Sequence, residues 1–295
     1  MFGLYFGNYL VEKNKISWSQ FEDSIMQRQK TRVKLGLIAV AEKLLTTKQA
    51  EEINEIQKRM DRRFGDIAIE KGYLLDEEVT YLLNMQGNSY LQFVQVLTEK
   101  NILTLGQIET YLQEYKLDND FSDSDIDALK SGDIDRIIPV FIDVDVPFAG
   151  ECISLTLRNI VRFISNNIVI KNEYKVKEYS FGSFAAQRMI GDKDILVGFA
   201  CKNEELLQIA SPFAKETFTA LDEDSIDSVC EFINCINGLY ASKLSHEDIH
   251  IDMTPPLYYT NKTITSDQDI CVVPIMINGE HVDLLVTVTG QVEIN

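Results

Sequence analysis

No run of apolar residues in this sequence approaches the roughly 18–20 that a membrane-spanning helix needs, so membrane insertion is not expected. The opening stretch, Met1-Phe2-Gly3-Leu4-Tyr5, lacks the basic flank and small-residue cleavage site of a signal peptide, and a cytoplasmic location is expected. Cysteine is sparse and unpatterned. Cys152, Cys201, Cys230, Cys235 and Cys271 are odd in number and never spaced CxxC, which suggests neither a disulfide framework nor a zinc site. His246, His250 and His281 add no metal-ligand spacing, so no metal of the protein's own is expected. Positive charge is also short. The net charge is −18, and it is unevenly placed: residues 1–118 balance to −2, residues 119–295 to −16. An acidic surface repels phosphates, which disfavours nucleic acid as a partner. What remains is an ordinary globular composition, 45% apolar and 25% charged, over 295 residues, long enough for two cores.

The first half repeats itself. Four units with a period of 29 residues open at Phe6, Leu35, Phe64 and Phe93: FGNYLVEKN, LGLIAVAEK, FGDIAIEKG and FVQVLTEKN. The ninth positions are Asn14, Lys43, Gly72 and Asn101, and the Gly and two Asn suit the left-handed residue that ends a helix. Ser17, Thr46 and Thr104 each precede a Gln by three, at 20, 49 and 107, a spacing that predicts a capping box for a second helix. The third unit departs, with Leu75-Asp76 at the cap. Apolar pairs at helical spacing (Phe21/Ile25, Ala50/Ile53, Val79/Leu83, Ile108/Leu112) predict a shared core, since one unit alone cannot bury its apolar face.

This half resembles the MshEN-type N-terminal module of pilus and type II secretion ATPases, whose tandem motif runs basic-Leu-Gly, Gly, Leu and Gln. Arg63-Phe64-Gly65, Gly72, Val79, Leu83 and Gln86 follow that motif, and Lys34-Leu35-Gly36 with Gln57 follow it in part; Lys43, Ala50 and Asn54 depart from it. The resemblance implies a cyclic di-GMP site built from Lys34, Gly36, Arg63, Gly65, Gly72 and Gln86. Arg63 would stack on guanine or hold phosphate, and the glycines would admit the backbone. The same residues also read as helix starts and caps of a small interaction domain, and both readings stay open.

Residues 119–136, rich in Asp, Ser and Gly, predict an acidic linker. Beyond it, an α+β domain is expected over 137–295, with a largely antiparallel sheet. Its predicted elements are a strand over 137–146, a helix over 154–168, strands over 174–190 and 195–201, and a helix over 204–214. A long surface helix over 223–245 follows, then strands over 249–253, 257–263, 270–277 and 281–289, with Asn278-Gly279 as a hairpin turn.

The long helix divides cleanly on a wheel. Ile226, Val229, Phe232, Ile233, Ile236, Tyr240 and Leu244 share one arc, which must face the core. Asp224, Asp227, Glu231, Asn234, Gly238, Ser242 and Ser245 share the opposite arc, with Glu231 and Asn234 as neighbours three apart. Asp222 or Asp224 suits the N-cap. Gly238 stands mid-helix at a cost of about 1 kcal/mol against Ala. Beside Ala241 and Ser242 it makes a low strip that a partner's backbone could approach closely.

An isolated E-x-x-N string is common by chance. Here Asp227, Glu231, Asn234 and Gly238 are followed by Ala241, Lys243-Leu244 and Ile251-Asp252-Met253-Thr254-Pro255-Pro256, a combination that resembles CheX of the CheC/CheX/FliY chemotaxis phosphatases. One copy of the motif is visible, because Arg158-Asn159-Ile160-Val161 on the earlier helix carries no Glu-x-x-Asn; Cys235 and Asn237 depart from the family pattern. The resemblance implies hydrolysis of the aspartyl phosphate on a CheY-type response-regulator receiver, with homodimerisation through this domain. Asn234 would orient the water and Glu231 would pair with the receiver's lysine, while Asp227, Gly238, Ala241 and Ser242 would line the docking surface. The Mg²⁺ and the phosphorylated Asp would both be the receiver's. Two alternatives stand beside it: a docking module that binds a receiver without hydrolysis, and an adaptor responsive to cyclic di-GMP through the first half.

Overall fold

The computed structural model describes residues 1–28, 32–60, 62–288 and 290–295. It divides into two compact units, 1–132 and 133–295. Among the described residues no helix is long and apolar enough to cross a membrane.

The first unit pairs consecutive helices, the second longer than the first in all but the first pair as described: α1 (Phe2–Glu12) with α2 (Trp18–Arg28), α3 (Leu35–Ala41) with α4 (Thr47–Met60), α5 (Phe64–Glu70) with α6 (Asp76–Asn84), and α7 (Ser89–Glu99) with α8 (Leu105–Asp118). The turns between partners pass through Asn14, Lys43, Gly72 and Asn101, each with φ between 55° and 67°. Lys43 therefore takes the left-handed conformation despite its Cβ. The bonds Leu44 N–H to Ala39 O and Lys43 N–H to Val40 O close the same double-looped cap found at Asn14 and Gly72. Ser17, Thr46 and Thr104 exchange hydrogen bonds with Gln20, Gln49 and Gln107 as the spacing predicts. In the third unit the cap lacks a side-chain acceptor, yet Glu78 still accepts from the Leu75 N–H at 2.7 Å. Phe6, Leu10, Ile38, Ile53, Phe93 and Leu97 are fully buried. Leu83 differs from expectation: it is exposed, and Leu82 fills the core in its place.

The expected acidic linker over 119–136 is structured. Helix α9 (Asp123–Ser131) starts at Ser122, whose hydroxyl accepts from the Asp125 N–H while Asp125 accepts from the Ser122 N–H, and it ends on Gly132 at φ 72°. Asp, Ser and Gly are cap and dipole residues here rather than a solvated spacer, and Ile126, Ala128 and Leu129 anchor the helix in the core. The boundary between the units falls just after it.

The second unit opens with another difference. The expected strand over 137–146 is helix α10 (Ile134–Phe141), capped by Asp133, with Pro139 inside it. Ile137, Ile138 and Phe141 are buried on one face, a helical spacing that a short apolar run conceals. Helix α11 (Ala149–Asn159) begins earlier than expected and ends in a π turn, Ile160–Ile164. Next come β1 (Ile168–Ile170), β2 (Tyr174–Gly191), β3 (Ile195–Cys201), α12 (Leu207–Ala214), α13 (Glu223–Ser245), β4 (Ile251–Met253), β5 (Leu257–Ile277), β6 (Glu280–Val288) and β7 (Val292–Ile294). Residue 289 of the expected last strand lies outside the described residues. Asn278 and Gly279 both take positive φ in the hairpin between β5 and β6, as that dipeptide demands.

All pairings are antiparallel, in the order β1-β5-β6-β3-β2-β4. The two strands expected over 257–263 and 270–277 are one, β5, of 21 residues. Its first part pairs with β2 and its last part with β6, so the sheet curls back on itself. Phe184, Ala186, Leu196 and Ala200 pack inside that curl with Ile264, Val272 and Leu285. From Phe184 onward, strand alternation sends the odd residues of β2, and those of β3, to the other face. There Phe199 stacks on Phe232 of α13 with ring centroids 5.9 Å apart.

Candidate functional site

Helix α13 is held along its length by contacts its sequence dictates. Asp222 caps it, accepting from the Ser225 N–H at 3.0 Å, and this bond holds its carboxyl below the usual range. Ser228 Oγ donates to Ala210 O of α12 at 2.9 Å, and Tyr240 Oη donates to Phe148 O at 2.9 Å. Val229, Phe232, Ile233, Ile236, Tyr240 and Leu244 are buried as the wheel requires, while Ile226 at the first turn is only half-buried.

On the opposite arc Asp227, Glu231 and Ser242 are exposed, and Asn234, Gly238 and Ala241 are half-buried. Glu231 makes no hydrogen bond or ion pair among the described residues, so its carboxylate is available to a cation from outside. A Cβ built on Gly238 would meet only Met253 Cε, at 3.8 Å, which is ordinary contact. The fold itself therefore does not require glycine there. Leu239 and Met253, 50% and 41% exposed, give the same face an apolar margin that the wheel did not indicate. Cys235 is exposed on it, whereas neighbouring Cys230 is buried and its thiol is pushed up to about 11 by that burial, with Asp227 and Glu231 adding to it. Burial thus disfavours the reactive thiolate of Cys230.

Beneath Asn234 lies a network of amides that sequence reading did not find. Gln187, on the helix-facing side of β2, is 2% exposed, and Asn237, one turn beyond Asn234, is fully buried. Gln187 Nε2 donates to Asn234 Oδ1 and to Thr254 O, both at 2.8 Å, and Gln187 Oε1 accepts from Asn237 Nδ2 at 2.9 Å. The T-P-P segment makes this arrangement possible. The neighbour of β2 changes here, from β5, whose pairing reaches Ala186↔Leu257, to β4, whose pairing begins at Met189↔Met253. Pro255 and Pro256 have no N–H to continue a ladder. Thr254 bonds Arg188 O through both its N–H and its hydroxyl, at 2.9 and 3.0 Å, which leaves its own carbonyl for the Gln187 side chain. The available signal was polarity out of place: Asn237 on the apolar arc of the helix and Gln187 at an inward position of a strand.

In the first unit the structure brings some predicted nucleotide-binding residues together and not others. Lys34, Gly36, Arg63 and Gln86 line a cavity of about 740 Å³, with Arg32, Lys58 and the exposed Leu83. Arg32 Nε donates to Gln86 Oε1 at 2.9 Å, and Gln86 Nε2 to Val33 O at 2.7 Å. Lys34 pairs with Glu99 at 2.6 Å and Lys58 with Glu55 at 2.8 Å, and Arg63 has no ion pair among the described residues. Gly65 and Gly72 do not line this cavity. A Cβ on Gly65 would sit 2.6 Å from Val79 Cγ1, and Gly72 is the left-handed turn residue, so both are explained by helix packing and chain reversal.

No curated protein matches the chain. Among solved structures, it is similar to a CheC-like superfamily protein from Shewanella sp. PV-4, at 18% identity, with 50% of this chain and 99% of that one covered and a TM-score of 0.44. It is also similar to the chemotaxis protein CheX from Desulfovibrio desulfuricans, at 14% identity, 48% and 98% coverage and a TM-score of 0.41. A third is the CheX–CheY–BeF3–Mg complex from Borrelia burgdorferi, at 17% identity, 48% and 98% coverage and a TM-score of 0.39. Residues 184–277, which contain Gln187, all of α13 and the T-P-P segment, match the family described as chemotaxis phosphatase CheX.

Proposed function

We propose that the second unit hydrolyses the aspartyl phosphate of a CheY-type receiver domain. The observation that carries this reading is the pairing of an exposed Glu231, without a partner among the described residues, with Asn234 one turn away, inside the segment that matches the CheX family. Water attacks phosphorus, its oxygen forms the new P–O bond, the bond to the receiver's Asp breaks, and carboxylate and inorganic phosphate leave. Catalysis of such a loose transfer is mostly positioning and electrostatics. An amide does not titrate usefully, so Asn234 orients the water rather than acting as a base. Glu231 forms a charge-assisted hydrogen bond to the receiver's lysine and holds the partner in register. Asp227, Gly238, Ala241 and Ser242 complete the docking surface, and the receiver contributes its own Mg²⁺. The test is the lifetime of each cognate phosphorylated receiver with and without the full-length protein. A shortened lifetime for one of them is expected; an unchanged lifetime for all leaves only a docking module.

A second reading concerns the first unit, where the cavity lined by Arg32, Lys34, Lys58 and Arg63 supports an anionic ligand such as cyclic di-GMP, a cationic hollow in a chain of net charge −18. Calorimetric titration with cyclic di-GMP tests it, and no heat at high micromolar ligand removes it.

A further inference from the structure

We propose that Gln187 is a positioning residue that fixes which end of the Asn234 amide faces the receiver. This rests on the phosphatase reading for its catalytic consequence, though the orientation follows from the network alone. A side-chain amide can be turned over without changing its shape, so its direction must come from its partners. Here one partner cannot be turned. Thr254 O is a main-chain carbonyl and only accepts, and Gln187 is 2.8 Å from it, so Gln187 must present its NH₂ group there. The same NH₂ group then donates to Asn234, which must turn its oxygen inward. Gln187 Oε1 is left facing Asn237, which must donate. The carbonyl of residue 254 thereby sets Asn234 with Oδ1 towards β2 and Nδ2 free of any partner among the described residues.

In that orientation Asn234 offers N–H groups to the incoming phosphoryl site. A water oxygen that accepts from Nδ2–H keeps its second lone pair for phosphorus, which is the arrangement in-line attack needs. An amide that loses this partner is no longer held with its NH₂ group outward, and it turns over or swings out of line, so that the water is held by a proton or not held at all. The network is not optimal for stability: Asn237 Oδ1 is buried without a hydrogen-bond partner among the described residues.

The experiment compares full-length wild type with Gln187→Met and Gln187→Glu, which keep the length of the side chain but not its donor. Receiver binding is read on an unphosphorylated receiver, and turnover on the phosphorylated one. A positioning role lowers kcat by about tenfold, the scale of a misaligned contact, and leaves affinity within about twofold. A purely structural role lowers folding stability and affinity together, and that result, or a kcat within about twofold of wild type, overturns the proposal. Should both variants fail to fold, the unaltered chain still decides. In isotopically labelled, deuterated protein, nuclear magnetic resonance should detect coupling across the hydrogen bonds from Gln187 Nε2 to Asn234 Cγ and to the Thr254 carbonyl carbon. Absence of the Asn234 coupling overturns the proposal. If wild type shortens no receiver's lifetime, the phosphatase reading fails on its own, and this coupling still decides the orientation.

Discussion

Two sets of glycines mark the two regions to which function was assigned from sequence, and their surroundings differ. Gly36 and Gly65 in the first unit are packed: a Cβ would sit 3.0 Å from the Phe64 ring in one case and 2.6 Å from Val79 in the other. Their own fold accounts for them. Gly238 in the second unit meets only a methionine tip at 3.8 Å, and nothing among the described residues accounts for the helix stability it forgoes. A glycine whose absent side chain is filled by the protein itself says little about ligands. One left open on a helix face leaves room for another backbone, which is what the proposed docking of a receiver uses. The polar groups divide less sharply: Lys34 and Lys58 hold acidic partners, while Arg63 and Glu231 have no ion pair among the described residues.

The largest effect that would sharpen this contrast is expected at Asn234. Asn234→Ala should slow receiver dephosphorylation about 100-fold while leaving receiver binding in place, measured by phosphate decay and by titration. Glu231→Ala should weaken binding about tenfold and slow turnover as well, because a charge-assisted hydrogen bond is lost from the docked state. The glycines can be tested against each other. Gly65→Ala should destabilise the chain by about 1–3 kcal/mol in denaturant titration, as overpacking does, since Val79 must move. Gly238→Ala should instead stabilise it by about 1 kcal/mol and still weaken receiver binding. If Gly238→Ala binds the receiver normally, the open strip has no docking role and the comparison breaks.

The smallest expected effect is at the cap of α13. Asp222 has its carboxyl held low by the Ser225 N–H, so its charged form is favoured in the folded state. The stability it adds is present above the unfolded carboxylate value, about 4, and is lost as pH falls through the lower folded value. Asp222→Ala should therefore lower the melting temperature at neutral pH, with the difference fading in acid. Ser122, which caps α9 with a neutral hydroxyl but shares the Asp125 carboxylate, offers the matching control in the first unit.

Much of this was legible in the sequence because it depended on neighbours along the chain. Helix α13, a cap at Asp222 or Asp224 and an exposed Glu231 follow from a 3.6-residue period and a cap preference; the structure chose Asp222. The capping boxes at Ser17, Thr46 and Thr104 follow from residues three apart, and the hairpin at Asn278-Gly279 from two residues that tolerate positive φ. Where a local signal had two meanings, the sequence did not choose between them. Asp, Ser and Gly over 119–136 served equally for a linker and for the caps of α9, and burial of Ile126 and Leu129 decided for the helix. The apolar run over 137–146 fitted strand or helix, and a one-sided core decided again.

The contacts that packing alone creates join segments distant in sequence. Gln187 and Thr254 are 67 residues apart, and Gln187 and Asn237 are 50 apart. No period or spacing relates them; they meet because β2 changes partner where two prolines interrupt the ladder. Glu231 and Asn234 were visible as neighbours on one helical turn. The direction of the Asn234 amide was not, because it depends on a carbonyl from another strand, relayed through a side chain that only the packed sheet brings into reach.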